Sequence, residues 1–275
     1  MRKRADNPAD LHLEGASAPD DEKDPRFVTA LARGLEVLRV YRRGDRALGN
    51  QELAERTGLP KPTISRLTYT LSKLGYLVYD QGSGKYRLGT PVLALGYTCL
   101  AGMGIRQIAR PLMQDLAEAS GLSVALGGRD RMSMVYLECC KANTAVILSL
   151  DVGSHIKLGT TAMGRAYLAG LPDAERAALM AKLEEHEGAR WPEVRDGILH
   201  AVEEYRAKGY CTSIGAWKTE VHAVGVPLVP RDGSPVLALN CGGPAFLVDP
   251  VRLETDCAPR LMAVARQIDA ALSDH

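Results

Sequence analysis

Membrane, leader and metal signatures are what this 275-residue chain lacks. No window reaches the about 18 apolar residues of a membrane-spanning helix, and the basic start Arg2-Lys3-Arg4 is not followed by the roughly 7 to 15 apolar residues of a secretory leader. A cytoplasmic chain with no membrane partner is the expectation. Six cysteines (Cys99, Cys139, Cys140, Cys211, Cys241, Cys257) form no CxxC pair, and six histidines form no HExxH, so neither a zinc ribbon nor a zincin is indicated. Reduced, structural thiols and no metal or cofactor follow. The catalytic motifs fail too. Gly82-Ser83-Gly84-Lys85 lacks the earlier glycine and following hydroxyl of a P-loop, Gly102 and Gly104 lack the third glycine of a dinucleotide turn, and there is no GxSxG elbow.

With 46% apolar residues the chain can build substantial cores, and its length suits two domains. The net charge of +1 is unevenly spread. Residues 25–90 hold 12 Lys and Arg against 5 Asp and Glu, a net +7, while residues 1–24 (4 against 7) and residues 91–275 (18 against 21) are each −3. A basic block between acidic flanks points to one local polyanion site rather than general nucleic-acid affinity. The acidic, proline-containing residues 1–24 are expected to be a disordered tail.

Within the basic block, residues 50–88 read NQELAERTGLPKPTISRLTYTLSKLGYLVYDQGSGKYRL. Asn50 is placed to cap a helix over Gln51 to Thr57, with Glu52 favourable in its first turn. Gly58 suits the left-handed helix end and Leu59-Pro60 continues a tight turn. A second helix is predicted from Lys61. Ile64, Leu67, Leu71 and Leu74 share its packed face, while Pro62, Ser65, Arg66, Tyr69 and Lys73 lie opposite at about 100° per residue. Lys61, Ser65, Arg66 and Tyr69 supply the cation, hydroxyls and guanidinium that a major-groove helix uses; a solvated amphipathic helix would look the same. Tyr76 to Tyr79 and Lys85 to Leu88 then predict two strands around a glycine-rich tip, with Lys85 and Arg87 on the wing. The composite is a winged helix-turn-helix over 25–90, and double-stranded DNA is the partner it implies.

Pro91 opens a linker helix over 91–104, broken at Gly102 and Gly104, and a further helix runs from about Ile105 to Ala119. Such a helix can pair two subunits or pack on its own domain. From Ser123 short strand-like runs (SVALGG, MSMVYLECC, TAVILSL, VHAVGVPLV, PVLALNCGG) alternate with helical stretches. They predict an α+β domain over 105–275 with a mainly antiparallel sheet around one pocket. Cys139 and Cys140, adjacent on a strand, point to opposite faces: a reactive thiol or two buried ones. His155 and His222 have no carboxylate at telling spacing. An enzyme with an attached DNA-binding domain, using Cys139 or His222, is the alternative to a regulator.

The chain resembles the IclR-type bacterial transcription regulators over nearly all of residues 26 to 272. Three blocks carry the resemblance in order: FVTALARGLEVLRVYRRGDRALGNQELAERTGLPKPTISRLTYTLSKLGYLVYDQGSGKYRLGTPVLALG, then DVGSHIKLGTTAMGRAYLAGLP, then EYRAKGYCTSIGAWKTEVHAVGVPLVPRDGSPVLALNCGGP. The resemblance implies an N-terminal DNA-binding domain, a linker helix and a C-terminal GAF-like effector domain that binds a small metabolite. It also implies homodimers, or tetramers made of two dimers, with much of the dimer contact through the winged domains. It places Lys61, Pro62, Thr63, Ser65, Arg66 and Tyr69 at or near operator DNA, with Lys85 in the wing.

In the effector domain the resemblance implies ligand positions at Ala162 and Met163, Ser213, Ala223, Asn240 and Gly242, with apolar Met163, Leu239 and Trp217 to bury the ligand. Ser213-Ile214-Gly215-Ala216 stands where many relatives carry an acidic loop, so an aromatic or other partly apolar carboxylate is expected over a very small keto acid. Pro60 replaces a Ser or Asn helix cap, with Pro62 and Thr63 expected to compensate. The expected mechanism is a linkage: effector binding biases the Ser213–Thr219 loop and the linker helix, and so changes operator affinity, as repressor or as activator.

Overall fold

The chain divides between Gly102 and Met103 into two units, each built on its own buried clusters. The computed structural model describes residues 25–142, 150–230 and 233–273. The expected tail at 1–24, and all of the TAVILSL run except Leu150, lie outside them.

The first unit orders α1 (Thr29–Arg39), α2 (Asn50–Thr57), α3 (Lys61–Lys73), β1 (Leu77–Asp80), β2 (Lys85–Leu88) and α4 (Thr90–Ala101). Helix α2 starts one residue earlier than expected. Asn50 lies inside the first turn, and the cap is reversed: the Gly49 N–H donates to Glu52 Oε2 at 2.8 Å. Gly58 ends α2 at φ +69° and donates to the Ala54 carbonyl at 2.9 Å. Val37, Leu48, Leu53, Ile64, Leu71 and Leu77 form the core, so the packed face of α3 is the one its periodicity marks. One member fails. Leu74 is 62% exposed, because the helix has ended there and Gly75 turns the chain away. Thr68 is fully buried instead, its hydroxyl satisfied by the Ile64 carbonyl at 2.9 Å. Strands β1 and β2 pair antiparallel from Leu77 with Leu88 to Asp80 with Lys85. Helix α4 buries none of its residues, and Leu93, Leu95 and Tyr97 are exposed. Among the described residues no single helix is long and apolar enough to cross a membrane.

The second unit is α+β. In chain order it runs α5 (Gly104–Ser120), β3 (Ser123–Asp130), β4 (Ser133–Lys141), β5 (His155–Lys157), α6 (Ala162–Gly170), α7 (Asp173–Glu187), α8 (Trp191–Lys208), β6 (Cys211–Ile214), β7 (Val221–Leu228), β8 (Leu237–Pro244), a short α9 (Pro250–Arg252), a π-turn (Leu253–Cys257) and α10 (Ala258–Ser273). The sheet is antiparallel throughout, in the order β5-β4-β3-β8-β7-β6. Strand alternation sends Val124, Leu126, Val224, Leu239 and Cys241 to one face, under α5 and α10. It sends Ala125, Tyr136, Cys211 and Ala238 to the other, under α6, α7 and α8. Cys139 and Cys140 divide between these two faces as their adjacency requires.

Candidate functional site

The exposed side of α3 presents Lys61, Pro62, Ser65, Arg66 and Tyr69, with Thr63 half-buried beside them. Lys73 Nζ stands 5.4 Å from the Tyr69 ring. Pro60 gives α3 no side-chain cap; its carbonyl accepts from the Thr63 and Ile64 N–H groups at 2.9 and 3.0 Å, with Pro62 in the first turn. Lys85 is already engaged, 2.9 Å from Glu52 Oε2. The Gly49 N–H and then Lys85 hold the Glu52 carboxyl below the usual range. The wing is thereby tied to the first helix of the motif, with exposed Arg87 nearby.

The second site follows from sheet register. One row runs Cys139, Ala125, Asn240, Gly225 across β4, β3, β8 and β7; the next runs Ser123, Gly242, Ala223, Ser213 across β3, β8, β7 and β6. Helix α6 descends on this face at Gly225, where a Cβ would stand 2.3 Å from the Ala162 carbonyl oxygen. Between the α6 N-terminus and the two rows lies a small cavity of about 30 Å³ that opens to solvent at its mouth. Ser213, Trp217, Ala223, Asn240, Gly242 and Ala162 all line it.

Its polar groups are few and placed. Thr161 caps α6: its hydroxyl accepts from the Gly164 N–H at 3.1 Å and donates to the Lys157 carbonyl at 2.6 Å. Thr161 and Ala162, where α6 begins, line the cavity, and the first N–H groups of a helix have no intrahelical acceptor. Asn240 Oδ1 and Thr160 Oγ1 are buried with no hydrogen-bond partner among the described residues. The Ser213 hydroxyl donates to the Thr160 carbonyl at 2.7 Å, so only its lone pairs face a ligand as it stands. Among the described residues that line it there is no Asp, Glu, Lys or Arg.

Two expected positions do not line the cavity. Leu239 precedes Asn240, so strand alternation turns it into the core under α5 and α10. Met163 is fully buried between α6 and β3, and its sulfur lies where a Cβ on Gly127 would come within 2.3 Å. Conversely Ser123, Ala125, Tyr136, Cys139, Ile156 and Thr161 line the cavity without having been singled out as ligand positions. Only the pairing of β3 with β4 and β8 brings the strand residues there, and local sequence carries no signal of it.

The arrangement is poor for nucleophilic chemistry between Cys139 and His222. Burial pushes the Cys139 thiol up to about 11, leaving it protonated at neutral pH. His222 faces the other side of the sheet, its Nδ1 3.0 Å from the Val248 carbonyl oxygen. Among the described residues no group of three or more His, Cys, Asp or Glu could hold a metal.

A winged helix-turn-helix followed by an α+β unit with a cavity at one sheet face is the architecture of a transcription regulator with an effector domain. Comparison agrees: residues 30–81 match the IclR helix-turn-helix domain and residues 97–270 the bacterial transcriptional regulator IclR C-terminal family. The HTH-type transcriptional regulator TsaQ1/TsaQ2 of Comamonas testosteroni is 37% identical over 253 residues, 91% of each chain. The crystal structure of an IclR family transcriptional regulator from Brucella abortus is 44% identical, with a TM-score of 0.84 over 93% of this chain and 97% of that one. An IclR homolog from Microbacterium hydrocarbonoxydans, solved in complex with 4-hydroxybenzoate, shares the fold at 21% identity and a TM-score of 0.69, covering 90% of this chain and 100% of that one. The chain belongs to the IclR family of bacterial transcription regulators.

Proposed function

We propose that the effector is an aromatic or other partly apolar carboxylate, bound with its anionic end at the N-terminus of α6 and its body against Ala125, Ile156 and Trp217. The observation that carries this reading is a cavity with no acidic side chain among its described lining residues, set at the N-terminus of α6 beside the buried, unpaired Oδ1 of Asn240. The amide can turn over to offer its NH2 group, and the Ser213 hydroxyl can turn from Thr160 to the ligand. The Microbacterium complex with an aromatic carboxylate on the same fold is consistent with this class.

Lys61, Pro62, Thr63, Ser65, Arg66 and Tyr69 enter or flank the major groove, and Lys85 approaches a phosphate once it leaves Glu52. The protein works in the cytoplasm by binding rather than turnover, as a homodimer or a tetramer of two dimers. The exposed leucines of α1 and α4 (Leu31, Leu35, Leu93, Leu95) support self-association. Effector binding and operator affinity are linked, each changing the other by the same factor.

A thermal-shift series with benzoate, 4-hydroxybenzoate, phenol and pyruvate tests the class. At 100 times Kd a bound aromatic carboxylate raises Tm by about 5 °C. A shift with pyruvate or phenol and none with either benzoate would remove the proposal.

A further inference from the structure

Arg165, one turn into α6, is a largely buried guanidinium with no carboxylate in contact among the described residues. Its Nε donates to the Gly159 carbonyl at 3.3 Å and its Nη1 to the Thr212 carbonyl at 3.2 Å. Gly159 leads directly into Thr160, Thr161 and Ala162, one wall of the effector cavity; Thr212 leads directly into Ser213, the facing wall. The guanidinium occupies a notch in α8, where a Cβ on Gly197 would stand 2.4 Å from Nη2. Thr212 is gripped from its other side as well. Its N–H donates to Glu204 Oε2 at 2.8 Å and its hydroxyl to the same oxygen at 3.1 Å.

Burying a charge whose direct contacts are two carbonyls, with the Glu204 carboxylate acting on it only through space, costs stability that a methionine in the same slot would not. What the guanidinium adds is a planar fork of fixed geometry that spans two carbonyls at once; a lysine ammonium on a flexible stem does not. The other side-chain hydrogen bonds described between these walls are a long one, 3.8 Å, from the Cys211 thiol to the Ala162 carbonyl and one from the Ser213 hydroxyl to the Thr160 carbonyl. An anionic effector competes for that same hydroxyl proton.

We propose that Arg165 is a positioning residue of the effector site: its fork locks the Gly159–Ala162 wall to the Thr212–Ser213 wall, in a notch that Gly197 must leave open. It keeps the walls in register when Ser213 turns from the Thr160 carbonyl to an anionic ligand. That last step alone rests on the effector reading above.

Hydrogen exchange followed by mass spectrometry on the full-length, ligand-free protein tests the lock directly. Arg165→Met, Arg165→Lys and Gly197→Ala each raise amide exchange about tenfold in both 159–164 and 211–215. The β3–β4 hairpin and α10 stay unchanged. Faster exchange in one wall only, an equal rise throughout the unit, or full rescue by lysine overturns the proposal. Gly197→Ala keeps the arginine, so it reports even where Arg165→Met does not fold. A second arm titrates 4-hydroxybenzoate: the three variants weaken it about tenfold, and Ala223→Leu, which fills the cavity, abolishes it. Should wild type show no binding, or Ala223→Leu bind as wild type, the effector reading falls while the exchange data still decide the lock.

Discussion

Lys85 on the wing lies 2.9 Å from Glu52 on the first helix of the helix-turn-helix. The contact joins residues 33 positions apart and puts a carboxylate beside a cation proposed to meet a phosphate. Glu52→Gln should therefore release Lys85 and tighten binding to any DNA sequence alike. Lys85→Ala should weaken binding uniformly and lower the slope of log affinity against log salt by about 0.9. Fluorescence anisotropy across salt concentrations measures both.

Glu52 also sets a pH dependence. The Gly49 N–H first, and Lys85 second, hold its folded pKa below the ordinary value. A depressed carboxyl contributes stability above its unfolded pKa and loses that contribution as pH falls through the folded value. Acid melts of wild type and Glu52→Gln should converge as pH drops below the ordinary glutamate range; a constant gap would contradict the assignment.

Arg66 stands exposed on α3, remote in sequence from the effector cavity. Arg66→Ala should cost about 1–3 kcal/mol of operator binding and leave the 4-hydroxybenzoate thermal shift intact. Turnover of the bound acid, lost on changing Cys139 or His222, would instead support an enzyme.

Leu239 and its neighbour Asn240 face opposite sides of one strand. Leu239→Ala should destabilise the protein by about 2–5 kcal/mol with effector affinity unchanged where the protein is folded. Asn240→Leu should do the reverse, costing affinity with little loss of stability. Denaturation curves and calorimetric titration separate the two.

Cys139 lines the cavity with its thiol pushed up to about 11 by burial. Its alkylation by iodoacetamide at pH 7.5 should lag far behind that of exposed Cys99, and a bound effector should slow it further. Keeping the thiol neutral contributes stability below the unfolded value of 9.0, and this is lost as pH rises towards 11.

The winged unit was legible because its signals are local. Gly58 must end a helix, Ile64 and Leu71 repeat with helical period, and the glycine-rich tip between Tyr79 and Lys85 closes a short hairpin. The sequence also showed which residues of α3 face outward, since 3.6-residue periodicity needs no partner. Its errors there were end effects: Asn50 and Leu74 sit where the helices begin and end. The family and the α+β class of the second unit were likewise readable from ordered motifs.

The cavity proposed for the effector was decided by tertiary structure. Alternation along β8 separates Leu239 from Asn240, but which of them lines the cavity depends on the face that α6 covers. Ser123 and Tyr136 join the site only through the pairing of β3 with β8 and β4. Arg165 looks in sequence like one more helical arginine. Its role arises from Gly159, Thr212 and Gly197 converging on it. The sequence determined what short-range periodicity, capping and charge can encode; long-range register and packing decided which side chains share a cavity, because strand pairing is a relation between distant segments.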